Sequence, residues 1–184
     1  MDRILEKVKD FAARAHGEQR RKFADEPYIA HPIRVMEICA AYTSDVAMLA
    51  AALLHDVLED TPVNKEQLKD FLLSVMDATK AQRTLQLVDE LTDRFVKANY
   101  PQWNRRKRKA KETERLGNTS AESQTIKYAD IIDNSAEIAH QETDFAKVFL
   151  KECNALLKTI TKGNPELYRR AVDTVQAGLA HVKG

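Results

Sequence analysis

Apolar residues recur at intervals of three and four along most of the chain, which is the spacing of one buried helix face. The first such face consists of Ile4, Leu5, Val8, Phe11, Ala12 and Ala15. It ends near Gly17. With only five Gly and five Pro, the chain has few positions suited to tight turns. The pattern therefore predicts an all-α protein of about eight helices.

Capping residues and prolines give the boundaries of further helices. Pro32 suits the first turn of a second helix, and Asp45 suits the cap of a third. The third helix is predicted from Ala47 to about Glu59, apolar nearly all round until its polar C-terminal end. The remaining helices are predicted from the Asn64–Gln67 capping box to Phe71, at 78–92, from Pro101 onward, and at 123–139, 143–161 and 165–182.

Composition places the chain among ordinary globular proteins. Hydrophobic residues make up 43% and charged residues 31% of 184 residues, which predicts a single domain over 1–184 with a basic excursion around 100–118. A net charge of +1 is not that of a general nucleic-acid binder, so no nucleic-acid partner is expected. The oligomeric state is left open.

Targeting signals and cysteine usage predict a cytoplasmic protein. The first residues carry charges before any apolar signal region, and the longest apolar run, 46–54, is half the length of a membrane span. Cys39 and Cys153 lack the spacing of a metal-binding pair. A reduced pair is therefore favoured over a disulfide or a metal role.

Four side chains are candidate metal ligands: His31, the adjacent pair His55 and Asp56, and Asp130. Imidazoles together with carboxylates suit a divalent ion such as Mn, Fe or Zn. On a helix, His55 and Asp56 lie about 100° apart, so both can reach a metal over the edge between their faces. The alternative is a packed histidine beside Pro32 and an HD dipeptide that arose by chance.

Three carboxylates follow one another at helical spacing, since Asp56, Glu59 and Asp60 occupy positions i, i+3 and i+4. Like charges at this spacing destabilise a helix by a few tenths of a kcal/mol per pair, roughly. Their clustering beside His55 suggests that one binds metal while the others handle protons or orient water. A solvated helix end is the alternative.

Basic and amide residues near the candidate ligands suggest an anionic ligand. Arg20, Arg21 and Lys22 precede His31 by about ten residues, and such groups bind phosphate oxygens. Asn134 lies one helical turn after Asp130, where it is either a surface residue or a donor to ribose or phosphate. For the second basic run, 105–111, a solvated helix face is favoured over contact with substrate phosphate or RNA.

Several strings of residues resemble one known family. They are HGEQRRK at 16–22, PYIAHP at 27–32, ALLHDVLEDT at 52–61, and IKYAD at 126–130 followed by Asn134. Together they are similar to the hydrolase domain of RelA/SpoT-type stringent-response enzymes, from about Phe11 to Asn134. The length of the chain resembles that of the small alarmone hydrolases, including the animal SpoT homologue. No synthetase domain is expected.

The resemblance implies a single HD-type helical bundle that hydrolyses the 3′-pyrophosphate of (p)ppGpp, giving GDP or GTP and pyrophosphate. It implies one divalent metal ion, Mn²⁺, and a small-molecule nucleotide substrate. The implied metal ligands are His31, His55, Asp56 and Asp130; the implied catalytic residues are Glu59 and Asp60; and the implied substrate-binding residues are Arg21, Lys22 and Asn134.

The chain departs from the family pattern after the last implied ligand. Ile132 and Asp133 stand where the family usually has a basic residue and an aromatic residue or His, and Ala136 replaces a common basic residue. The base preference therefore stays open, with the adenosine counterparts (pp)pApp as one alternative. Another HD phosphohydrolase, such as a nucleotidase or NADPH phosphatase, and a non-catalytic nucleotide sensor are the others.

Overall fold

The apolar repeats form helices throughout the described chain. The computed structural model describes residues 3–141 and 144–182, which contain ten helices and one isolated β-bridge, between Arg20 and Pro27. The predicted all-α class is confirmed. The chain divides into two compact units, residues 1–92 and 93–184, and each is described by itself. The single domain predicted over 1–184 stays a prediction.

The first unit is built around its most apolar helix. Its helices are α1 (Arg3–His16), α2 (Ala30–Ala40), α3 (Val46–Leu54), α4 (Val57–Asp60), α5 (Lys65–Val75) and α6 (Ala78–Leu91). Every residue from 47 to 54 is buried, and α1, α2 and α6 all pack against α3. The all-round apolar pattern of α3 therefore corresponds to a central position in this unit.

The predicted third helix is wrong at its C-terminal end, because it stops at Leu54 and a separate short helix, α4, follows. The imidazole Nδ1 of His55 lies 2.8 Å from the carbonyl oxygen of Ala52. In a continuous helix that carbonyl would accept from the backbone amide of Asp56. A side chain that competes for a backbone acceptor ends regular helical bonding, and Asp56 takes φ −98° and ψ −6° instead.

Local capping in the first unit follows the sequence prediction. The carboxylate of Asp45 accepts from the backbone amide of Met48 at 2.9 Å. Asn64 and Gln67 form the predicted reciprocal capping box, although α5 continues to Val75 rather than ending at Phe71. These caps fix the starts of α3 and α5 through contacts within one turn.

The second unit consists of α7 (Arg105–Leu116), α8 (Ala121–Ile138), α9 (Asp144–Leu157) and α10 (Pro165–His181). Helix α8 is buried along most of its length, and α10 packs against both α8 and α9. The helix predicted from Pro101 begins instead at Arg105, where Asn104 accepts from the amide of Lys107 at 2.9 Å. Thr143, the predicted start of the next helix, lies outside the described residues, and that helix ends at Leu157 rather than Thr161.

Two further sequence predictions concern membrane-spanning segments and the two cysteines. Across residues 3–141 and 144–182, no helix combines the length and the apolarity needed to cross a membrane. Cys39 and Cys153 are both buried and form no disulfide. Burial raises the pKa of each thiol to about 12, so both stay protonated near neutral pH.

Candidate metal centre

Three of the four predicted ligands come together in the first unit. His31 lies in the first turn of α2, while His55 and Asp56 connect α3 to α4. One possible ligand atom from each residue lies within 4.8 Å of the others. The Oδ2 atom of Asp56 is 3.1 Å from Nε2 of His55 and 3.6 Å from Nε2 of His31. Both imidazoles are buried, with ring centroids 5.1 Å apart.

The loop before α2 brings His31 to this position. Arg20 and Pro27 form the antiparallel bridge that folds the loop back on itself, and Arg20 also pairs with Asp25. The backbone amide of His31 donates to the carbonyl of Tyr28 at 3.0 Å, so α2 begins directly where the loop ends. The bridge and this turn together fix the backbone on both sides of Tyr28.

The hydrogen bond made by His55 defines its tautomer. A carbonyl only accepts, so Nδ1 of His55 carries the proton that it donates to Ala52, and Nε2 is the ring nitrogen next to Asp56. This nitrogen lies 3.1 Å from Oδ2 of Asp56. A divalent metal ion fits the donor set of two imidazoles and a carboxylate.

Tyr28 is a residue of this site to which the sequence reasoning assigned no role. Its hydroxyl lies 2.7 Å from Oδ2 of Asp56 and 2.9 Å from Oδ2 of Asp60. Loss of water around the phenol, and then the negative charge of Asp56, raise the pKa of Tyr28 well above its usual value. The available signal was an aromatic hydroxyl three residues before a predicted ligand.

The two predicted catalytic acids lie on α4. The backbone amide of Asp60 donates to the carbonyl of Asp56 at 2.9 Å, so these two residues are still one helical turn apart although α3 has ended. Desolvation, followed by repulsion from Asp56, raises the pKa of the Asp60 carboxyl. Glu59 is exposed. Their catalytic role stays a prediction.

Gln19 and His16 support this carboxylate cluster from α1 and the loop that follows it. The amide Nε2 of Gln19 donates to the backbone carbonyl of Asp60 at 2.7 Å. Its Oε1 atom therefore accepts from Nδ1 of His16, at 3.0 Å. The His16 ring also stacks on Tyr28 with centroids 4.6 Å apart. The HGEQRRK string thus supplies contacts to the carboxylate cluster as well as basic residues.

The predicted nucleotide-binding residues of the first unit lie in the loop after α1. The guanidinium of Arg21 is 5.6 Å from the centroid of the Tyr28 ring. Lys22 is exposed, and its ammonium lies 5.0 Å from the centroid of the Phe23 ring. Arg21 is thus close to a ring that contacts the candidate metal ligand Asp56. Substrate binding by Arg21 and Lys22 stays a prediction.

The remaining predicted residues lie in the second unit, on α8. Asp130 is buried, and its carboxylate accepts from Lys127 at 2.8 Å and from the amide of Asn134 at 2.5 Å. The structure therefore brings Asp130 and Asn134 together, as their spacing predicted. The departures Ile132 and Asp133 are both buried on the same helix. A role for Asp130 in metal binding stays a prediction.

The second basic run forms ion pairs within the second unit. The pairs are Arg105 with Glu152, Lys109 with Asp93, and Lys111 with Glu114, at 2.7, 3.0 and 2.8 Å. Lys107 lies over the Trp103 ring, 4.3 Å from its centroid. These contacts account for much of the positive charge of α7. They favour the solvated helix face that the sequence predicted.

The sequence of residues 9–155 matches the model of the HD domain family. This chain belongs to the HD domain family. The match includes both histidines and the aspartate of the cluster, as well as Asp130 and Asn134. The resemblance on which the sequence analysis relied is therefore confirmed at the level of the family.

Relatives of this HD-family chain include proteins named as alarmone hydrolases. It is 34% identical over 132 residues to human guanosine-3′,5′-bis(diphosphate) 3′-pyrophosphohydrolase MESH1, covering 70% of this chain and 66% of that protein. It is 42% identical over 82 residues to a probable enzyme of the same name from Synechocystis, covering 45% of this chain but only 10% of that longer protein.

A solved structure extends the likeness to nearly the whole chain. It is that of a metazoan orthologue of SpoT that hydrolyses ppGpp and plays a role in starvation responses. The TM-score is 0.79 at 26% identity, and the match covers 97% of this chain and 98% of that one. The HD-type all-helical fold is therefore shared with a protein of similar length.

Proposed function

We propose that this chain is a metal-dependent hydrolase that removes the 3′-pyrophosphate of guanosine alarmones. The reaction converts (p)ppGpp and water to GDP or GTP and pyrophosphate. The observation that carries the proposal is the buried cluster of His31, His55 and Asp56, in a chain similar to MESH1. A nucleotide substrate and two protonated thiols also fit the predicted cytoplasmic location.

The cluster would hold one divalent cation, for which we propose Mn²⁺. His31, His55 and Asp56 supply two nitrogens and one oxygen, and we propose Asp130 as the fourth ligand. When bound, such an ion neutralises phosphate oxygens and lowers the pKa of a bound water. Because Nδ1 of His55 donates to the Ala52 carbonyl, Nε2 is the nitrogen that would bind the metal.

The chain's own acids and bases would complete the site. Glu59 and Asp60 lie on α4, directly after Asp56, and would orient the attacking water and accept or donate its proton. Arg21 and Lys22 would bind the phosphates and hold the nucleotide in line with that water. Asn134 would donate to the ribose or to a phosphate.

The decisive experiment identifies the products. Purified protein is incubated with Mn²⁺ and, separately, ppGpp, pppGpp, ppApp and NADPH, and the products are resolved by ion-exchange chromatography. We expect pyrophosphate together with GDP or GTP. Release of orthophosphate would point to a different HD phosphohydrolase, and faster turnover of ppApp would assign the site to adenosine alarmones. Metal binding without turnover of any substrate would refute the enzymatic proposal.

The assigned catalytic roles predict a separation between metal binding and turnover. Glu59→Ala and Asp60→Ala should each lower kcat by about 10²–10⁴-fold, because each removes a proton-transfer group. Both should keep the fold and the affinity for Mn²⁺. Glu66→Ala is the control, since Glu66 is an exposed acid of the same unit on α5 and should leave kcat unchanged. Near-normal rates in both α4 variants would contradict the assignment.

A further inference from the structure

The hydroxyl of Tyr28 connects the metal-ligand candidate Asp56 with the acid Asp60. It lies 2.7 Å from Oδ2 of Asp56 and 2.9 Å from Oδ2 of Asp60. The same oxygen of Asp56 faces Nε2 of His55 and of His31. The phenol therefore contacts the oxygen atom of Asp56 that the cluster offers to a cation.

A phenol has one proton to donate, so it bonds strongly to one carboxylate at a time. Donation to Asp56 uses one lone pair of Oδ2 and leaves another for a cation next to the two imidazoles. A carboxylate that is also a hydrogen-bond acceptor in this way has a restricted orientation. Without the hydroxyl, Asp56 could rotate about its side-chain bonds, and Oδ2 would no longer be held toward both nitrogens.

The Tyr28 ring is itself held in place on several sides. His16 stacks on it at 4.6 Å between centroids, and the guanidinium of Arg21 lies 5.6 Å from its centroid. The backbone amide of Tyr28 donates to the carbonyl of Gln19 at 2.8 Å, and its carbonyl accepts from the amide of His31. A hydroxyl on a ring fixed by these contacts can orient a neighbouring side chain, whereas a mobile one could not.

We infer that Tyr28 is a positioning residue of the metal centre, whose hydroxyl orients Asp56 toward the cation. The inference rests on the proposed metal-binding function of the cluster. Loss of such an outer hydrogen bond typically lowers metal affinity by about 10–100-fold. Tyr28→Phe removes the hydroxyl but keeps the ring and its stacking on His16.

The test is a calorimetric titration of metal-free protein with Mn²⁺ in the absence of nucleotide, which measures the dissociation constant of the ion. We expect Tyr28→Phe to bind Mn²⁺ about 10–100-fold more weakly than the unmodified protein. Tyr42→Phe is the matched control, since it makes the same chemical change in the same unit, just after the end of α2 that is opposite to His31. An affinity of Tyr28→Phe within twofold of the unmodified protein would overturn the inference.

Two further measurements separate positioning from a general loss of structure. Circular dichroism of the metal-free proteins establishes that each variant is folded at the titration temperature. The visible absorption of Co²⁺-loaded protein reports the ligand arrangement, and we expect it to change in Tyr28→Phe but not in Tyr42→Phe. If Tyr28→Phe binds Mn²⁺ as tightly as the unmodified protein and the unmodified protein hydrolyses alarmones, the role of Tyr28 is refuted but the proposed reaction is not. Weaker binding in a protein that hydrolyses no alarmone would support that role and refute the proposed reaction.

Discussion

Replacement of Glu112 by Ala should destabilise the second unit strongly. Glu112 lies on α7 and is only 3% exposed. Its Oε2 atom accepts from the backbone amides of Arg94 and Phe95, both at 3.0 Å, and its Oε1 atom accepts from Nε of Arg115 at 2.6 Å. One buried carboxylate thus serves two backbone donors and one guanidinium, and connects α7 to the segment that precedes it.

The expected magnitude follows from these three contacts. A hydrogen bond to a charged group contributes about 1.5–3 kcal/mol, and removing one partner of a buried ion pair costs about 3–5 kcal/mol. Because the contacts share one carboxylate, their contributions overlap rather than add. We therefore expect Glu112→Ala to lower the free energy of unfolding by about 3–5 kcal/mol, a large part of the about 5–15 kcal/mol typical of a domain.

Urea unfolding monitored by far-ultraviolet circular dichroism measures this change. Glu114→Ala is the matched control, because Glu114 is on the same helix but is exposed and forms a surface ion pair with Lys111. The urea concentration at which Glu114→Ala is half unfolded should equal that of the unmodified protein, since exposed ion pairs contribute little to the free energy of unfolding. A Glu112→Ala variant within about 1 kcal/mol of the unmodified protein would refute the reasoning from buried donors.

Two further outcomes follow from close packing and from burial. A Cβ at Gly163 would lie 2.5 Å from a ring carbon of Tyr128, so Gly163→Ala should lower the melting temperature more than Gly17→Ala. At Gly17 there is space, and the φ of +55° costs about 1–2 kcal/mol; equal melting temperatures would contradict this comparison. Cys39 and Cys153, with pKa values raised to about 12, should react with an aromatic disulfide at pH 8 only after unfolding, and rapid reaction of the native protein would show otherwise.

The sequence determined those features that depend on residues within a turn of one another. The apolar period predicted the helices, and Asp45 and the Asn64–Gln67 pair predicted two of their starts. Residue chemistry and spacing also singled out His31, His55 and Asp56, and the structure brings these three together. The caps need no knowledge of the tertiary structure, because a cap and its amide are local. His31 is distant from His55 and Asp56 in the sequence, and ligand chemistry and the family resemblance linked it to them.

Tertiary structure alone decided how those residues are oriented. Helical periodicity predicted one helix through His55. In the structure the His55 imidazole donates to the carbonyl of Ala52, and α3 ends at Leu54. The hydroxyl of Tyr28 reaches Asp56 and Asp60, which lie 28 and 32 residues further along the chain. No metal-ligand chemistry in the sequence singled out Tyr28, and its contacts form only when the loop before α2 packs beside α4 and both segments lose their freedom together.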